Sequence, residues 1–265
     1  MTTSSSGNAS SRFPEPRSIS EKNSSEQRTL LIDDVHLDVL SGGAAKGLVA
    51  ALQPAFTAQT SCELRATFSA VGTMKEKLLA GEPCDVAILT AAVIEELERR
   101  GRVMAETVAP LGRVRTGIAV RAGEPLPAIS DRETLRQSLL ASTGIYLPDI
   151  ERATAGIHFV KVLKSLGIES EVAARLRCYP NGATALAELA RSRESGLIGC
   201  TQISEILDSP GVALVGPLPA DFELVTVYSV AACSSAREPA LARRLARLLA
   251  GPEARDQRGR AGFEA

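Results

Sequence analysis

Leu37-Asp38-Val39-Leu40-Ser41-Gly42-Gly43 opens the stretch that decides the fold, and the stretch runs on to Leu89. A short apolar strand passes through Ser41-Gly42-Gly43 into a helical run carrying Leu48, Leu52 and Phe56. The pattern then repeats. Ser69-Ala70-Val71-Gly72-Thr73 leads into a helix with Met74 and Leu78, and Gly81-Glu82-Pro83-Cys84-Asp85 precedes the apolar strand Val86-Ala87-Ile88-Leu89. Twice, a small hydroxyl residue stands with glycine just before a helix. The first turn of a helix leaves N–H groups without intrahelical partners, and the helix dipole adds positive potential there. The sequence therefore aims donors at an incoming anion, as one half of a small-ligand clamp.

Working outward, strands and helices alternate after residue 35. Hydrophobic spacing predicts helices over 47–59, 73–80, 91–100, 131–140, 155–166, 182–193 and 239–249. Short apolar strands are predicted over 37–40, 86–89, 114–120, 145–147, 197–200, 212–215 and 224–230. Ser130-x-x-Glu133 reads as a capping box, and Thr154 and Asn181 as N-caps. Gly81, Gly101 and Gly167 sit where C-caps belong, and Pro239 suits a first helical turn. This rhythm predicts an α/β fold with a mainly parallel sheet and helices on both faces.

Two places break the rhythm. The segment 112–121 is a longer strand followed by Ala122-Gly123-Glu124-Pro125, and Gly216-Pro217-Leu218-Pro219 precedes another long strand. Both read as crossings between two lobes. Residues 34–115 with 221–265 are expected to form lobe 1, and residues 116–220 lobe 2.

The bulk numbers bound the function. A chain of 265 residues with 45% hydrophobic residues can build one two-lobed domain or two small ones. A net charge of -1 leaves no electrostatic footprint for nucleic acid. Aromatics at 3%, with no Trp, argue against a stacking platform for sugars or bases. Residues 1–33 are polar, rich in Ser, Asn, Glu and Arg, and read as a disordered tail because they hold too little apolar surface to offset ordering entropy. That tail has no apolar run of the roughly 7–15 residues a secretion signal needs. No segment reaches the roughly 20 apolar residues of a membrane span. The chain as written thus reads as cytoplasmic, with no membrane span. Five scattered cysteines without a C-x-x-C pair suit reduced, mostly buried thiols, and two histidines exclude a His-rich metal site. No metal and no cofactor are expected, and no phosphate loop, G-x-S-x-G elbow or H-E-x-x-H is present.

Three separated motifs resemble one family. Leu37 to Ala45, continuing through Ala51-Leu52-Gln53-Pro54-Ala55-Phe56, is similar to the opening of periplasmic solute-binding proteins of the molybdate-binding, ABC transporter type. Phe68-Ser69-Ala70-Val71-Gly72-Thr73-Met74 with Gly81-Glu82-Pro83-Cys84-Asp85-Val86 resembles that family's serine–glycine, helix, G-x-P-x-D-V signature. Gly251-Pro252-Glu253-Ala254 to Ala261-Gly262-Phe263-Glu264 resembles its last helix and closing turn. The resemblance spans residues 36–265. It implies a two-lobed, periplasmic-binding-protein-like (type II) fold with an oxyanion or carboxylate held in a cleft between the lobes. It also implies a periplasmic location and an ABC permease as partner.

By that resemblance the first-lobe ligand hydroxyls carry over to Ser41 and Ser69, beside Gly42 and Gly72. Second-lobe contacts fall near Thr154-Ala155, near Asn181-Gly182 and around Thr201-Gln202. Three features depart from the molybdate-binding pattern. Pro148-Asp149-Ile150-Glu151-Arg152 replaces an alanine- and proline-rich turn, Cys200-Thr201-Gln202 stands where a tyrosine is expected, and no secretion signal is seen. In these the chain resembles a side branch that includes a cofactor-independent aconitate isomerase. Arg152 is then a candidate bidentate partner for a carboxylate, and His158 a candidate catalytic proton shuttle. Other roles stand beside these. Ser41 and Ser69 also suit helix N-caps, Arg152 a solvated surface, and His158 packing within its helix. Two functions follow: binding of a small oxyanion or carboxylate, or isomerisation of a small tricarboxylate.

Overall fold

The computed structural model describes residues 35–265; the expectation of a disordered tail over 1–33 falls outside them. The deciding stretch folds as β1 (His36–Gly42), a 3-10 turn (Gly43–Ala45), α1 (Lys46–Thr60), β2 (Glu63–Ser69), α2 (Val71–Leu79) and β3 (Val86–Thr90). β1 lies between β2 and β3 and runs parallel to both, with Gly42 opposite Ser69 and Ser41 opposite Ile88. Parallel neighbours in register end at the same edge, so the starts of α1 and α2 open side by side. β3 is apolar and buried nearly throughout because both its faces are covered.

α3 (Ala91–Arg99) leads to β4 (Ala109–Arg121), which holds the molecule together. Its first half pairs antiparallel with β9 (Val225–Ala232), and its second half with β7 (Leu197–Gln202) and β8 (Val212–Pro217). α4 (Arg132–Ala141), β5 (Gly144–Pro148), α5 (Thr154–Leu166), α6 (Glu169–Val172), β6 (Leu176–Tyr179), α7 (Gly182–Arg191) and α8 (Ile203–Leu207) fill the stretch between β4 and β8. α9 (Pro239–Ala250) and α10 (Arg255–Arg260) close the chain. The strand order is β2-β1-β3-β9-β4-β7-β5-β6, with β8 also on β4.

Two lobes result, each with its own core. One apolar cluster draws on residues from Leu37 to Val114 and from Tyr228 to Phe263. A second runs from Ile118 to Phe222, and a smaller one gathers Ala119, Tyr146, Leu186 and Leu189. The last two occupy opposite faces of one sheet. Ile145 and Leu147 of β5 point into one cluster while Tyr146 points into the other, as strand alternation requires. The chain passes between lobes at Thr116, whose N–H donates to Leu224 O and whose carbonyl accepts from Leu218 N–H, both at 3.1 Å.

Several expectations need correction. The sheet is mixed rather than mainly parallel, because β4 and β9 run against every strand they touch. Strands β2 and β6 were not anticipated. They lie at the two ends of the strand order and are only partly covered, so their burial patterns lack a clean apolar run. The capping box belongs to Asp131 with Thr134, one residue later than expected. Thr154 is the first residue of α5 rather than its cap. Ala153 holds the cap position, placed by the Asp149 turn whose Oδ1 accepts from the N–H groups of Glu151 and Arg152. Asn181 does cap α7, accepting from Thr184 N–H at 2.9 Å, and Gly81, Gly101 and Gly167 all take positive φ at helix ends.

Candidate functional site between the lobes

Four helix starts converge on one cavity. The first lobe contributes Gly43 and Ala44, entering α1, and Ser69, Ala70 and Val71, entering α2. The second contributes Ala153 to Ala155 at α5 and Asn181-Gly182 at α7. Pro148 at the end of β5 and Thr201-Gln202 at the end of β7 complete that wall, with Glu205 of α8 and Tyr228 of β9. Every contributing helix named here except α8 is long enough to carry a dipole, so the positive ends of four helices face one cavity. The cavity is tight, with about 20 Å³ open to the centre of a water-sized sphere.

The predicted residues divide into two sets. Ser69, Thr154, Ala155, Asn181, Gly182 and Gln202 line the cavity. Ser41, Gly42 and Gly72 do not. The Ser41 hydroxyl is fully buried and donates to Gly42 O at 2.8 Å, and Gly42 packs against Val71 and Tyr228. Gly72 is spent on a bond between lobes, its N–H donating to Arg152 O at 3.0 Å. Arg152 stays outside the cavity, pairing with Glu76 at 3.3 Å and Asp149 at 3.7 Å. His158 is not brought to the cavity either. It lies in the first turns of α5 with Nε2–H donating to Phe222 O at 2.8 Å, which ties the helix to the crossing segment.

Sequence reasoning missed Glu205 and Tyr228, and held Gly43 only as part of the Ser41-Gly42-Gly43 turn. Glu205 follows Ile203-Ser204 and precedes Ile206-Leu207, and a lone acid inside an apolar run was the available signal. Its carboxyl is wedged between the two lobes: a Cβ on Gly43 would collide with one of its oxygens, and a Cβ on Gly182 with the other. Glycine at both positions lets the backbone come this close. Thr201 Oγ1–H donates to Glu205 Oε2. Burial lifts the Glu205 carboxyl above the usual carboxylate range, and Asp208 pushes the same way. The Thr201 hydroxyl, the Gln202 N–H and Lys46 pull it back without cancelling the rise. Burial first, and Glu205 second, also raise the Tyr228 phenol. Gln202 is 3% exposed; its Nε2 donates to Thr226 Oγ1 at 3.4 Å, and its Oε1 has no partner.

The family of bacterial extracellular solute-binding proteins matches residues 37–264, nearly the whole of the described chain. This chain belongs to that family. An aconitate isomerase from Pseudomonas sp. is 28% identical over 224 residues, covering 82% of this chain and 83% of that protein. Among solved structures, the periplasmic molybdate-binding protein of Azotobacter vinelandii superposes with a TM-score of 0.71 at 18% identity, covering 86% of this chain and 99% of the other. The sulfate-binding protein SubI of Mycobacterium tuberculosis gives 0.67 at 16% identity, covering 86% of each. These likenesses establish the two-lobed fold of the family. Among the described residues no helix is long and apolar enough to cross a membrane, and no cluster of His, Cys, Asp and Glu could hold a metal ion. The cytoplasmic expectation rested on the tail, outside the described residues, while the family is described as extracellular.

Proposed function

We propose that the protein binds a small oxyanion or carboxylate in the cleft between lobe 1 (34–115 with 221–265) and lobe 2 (116–220). The observation that supports this reading is the meeting of four helix starts, two from each lobe, at one cavity that also holds the Ser69 hydroxyl. Donors from both sides act together only when the lobes are together, so a bound anion shifts the population toward the closed state. Around so small a cavity an ion of four or five heavy atoms needs less parting of the lobes than a six-carbon tricarboxylate does. The names of the molybdate- and sulfate-binding relatives agree with that ranking. Within such a family the partner would be an ABC permease that reads the closed form.

A second reading, isomerisation of a small tricarboxylate, is favoured by the aconitate isomerase relative and by a buried carboxyl on the cavity wall. In that case the proton-handling group would be Glu205 rather than His158.

A thermal-shift screen against molybdate, tungstate, sulfate, phosphate, citrate and cis- and trans-aconitate tests both. A ligand at about 100 times its Kd should add roughly 2.7 kcal/mol of native stability. Stabilisation by tetrahedral oxyanions alone would support binding and remove the isomerase reading. Stabilisation by an aconitate, with conversion to its isomer on incubation, would establish the enzyme. No shift with any of these would remove the anion cleft.

A further inference from the structure

The cavity wall contains an unusual group for an anion site: an acid. Glu205 is 8% exposed, and its two oxygens press on Gly43 of one lobe and Gly182 of the other, at the starts of α1 and α7 where anionic charge is best received. No Lys, Arg or His is among the described residues that line the cavity. The nearby ammonium, Lys46, is already paired with Asp208 at 3.3 Å. The other groups that face Glu205 are the Thr201 hydroxyl, which donates to it, and the Tyr228 phenol. An ionised Glu205 beside a bound anion would thus set two negative charges together with no cation on the cavity wall, only N–H and hydroxyl dipoles there and the paired Lys46 further off, to offset them.

We propose that anion binding in this cleft is coupled to one proton through Glu205, so that the site takes a small oxyanion or carboxylate only when a single proton lies between the ligand and the Glu205 carboxyl. This rests on the anion-cleft reading above and names its specificity-determining residue. A neutral Glu205 donates O–H to a fully ionised ligand; an ionised Glu205 accepts from a ligand that brings its own proton. Burial of the carboxyl shifts it toward the neutral form. Gln202 Oε1, buried and unpartnered on the same wall, gives a second acceptor for a proton-bearing ligand. The selection follows directly. As pH rises, sulfate and molybdate, which carry no proton at neutral pH, lose affinity, while hydrogen phosphate loses less.

The test is calorimetric titration of wild type and Glu205→Gln with sulfate, molybdate and phosphate, in two buffers of different ionisation enthalpy, across about pH 5.5 to 8.5. Proton linkage requires uptake approaching one proton per sulfate at the high-pH end, with affinity falling about tenfold per pH unit there. The amide of Glu205→Gln donates at every pH, so its sulfate affinity should change less than twofold over the range. Sulfate or molybdate binding to wild type with no proton uptake would overturn the proposal and leave the cleft reading standing. So would a Glu205→Gln protein that keeps the wild-type slope. If none of the three anions binds either protein at any pH, the proposal falls, and the cleft reading then stands or falls with the carboxylates of the thermal-shift screen. The wild-type proton count decides the matter even if the variant does not fold.

Discussion

The backbone N–H of Gly72, in the first turn of α2, donates to the carbonyl of Arg152 just before α5, at 3.0 Å. This bond joins the two lobes directly at the edge of the cleft, and the Arg152–Glu76 ion pair at 3.3 Å lies beside it. A Cβ at position 72 would stand 3.0 Å from Arg152 O and 3.2 Å from Arg152 Cα. Gly72→Ala should therefore hold the lobes slightly apart without unfolding either core. Anion affinity is expected to fall about tenfold, or 1.4 kcal/mol. Small-angle scattering of the anion-saturated protein should give a larger radius than wild type; an unchanged radius and affinity would show that the bond does not set closure.

Glu205 makes stability depend on pH with a definite sign. Its folded carboxyl holds a proton above the pH at which the unfolded chain releases it. Between those two values unfolding releases a proton, so the contribution is present at low pH and lost as pH rises through the folded value. The carboxylates held low by partners, Glu96 (Lys75) and Glu194 (Arg177), act below that window. Thermal melts from pH 5 to 8 without ligand should show a decline for wild type that Glu205→Gln reduces. Parallel pH profiles would mean that Glu205 is equally ionised in both states.

His158→Gln should leave anion affinity within about twofold and lower stability by about 1 kcal/mol, the worth of one neutral hydrogen bond. Its ring serves Phe222 O rather than the cavity. A large loss of affinity with intact stability would return His158 to the site.

Asp85 is 1% exposed and accepts from Asp38 N–H and Arg237 N–H, both at 2.7 Å, and from Arg237 Nη2 at 3.0 Å. It fastens β1, β3 and the segment before α9. Asp85→Asn turns one acceptor into a donor facing an N–H, and should lower the urea-unfolding free energy by about 3 kcal/mol. A loss confined to ligand binding would contradict this structural role.

Cys84 Sγ and Cys233 Sγ lie 3.3 Å apart, both buried, whereas Cys178 is exposed. A maleimide should label Cys178 rapidly in the folded protein and the other four thiols only after denaturation. Under mild oxidation, peptide mapping should find Cys84 linked to Cys233 before any other pair.

The sequence by itself determined the alternation of strand and helix, the long strands β4 and β9, and most of the helix starts that face the cleft. These depend on local pattern: apolar spacing, caps such as Asn181, and glycines at turns. The same local rules left the roles of Ser41, Arg152 and His158 open between the site and ordinary structure. Nothing in their neighbourhoods tells whether a hydroxyl turns to Gly42 O, a guanidinium to Glu76, or an imidazole to Phe222 O. The segment of Glu205 offers one signal, an acid among Ile203, Ile206 and Leu207, but does not say what surrounds the carboxyl. Its environment is made by Gly43, far earlier in the chain, and Gly182, which only the tertiary fold brings against it. Burial, and with it the upward shift of that carboxyl, is set by what the folded chain brings against a residue, so the tertiary structure alone decided that an acid stands on the wall of the interlobe cavity.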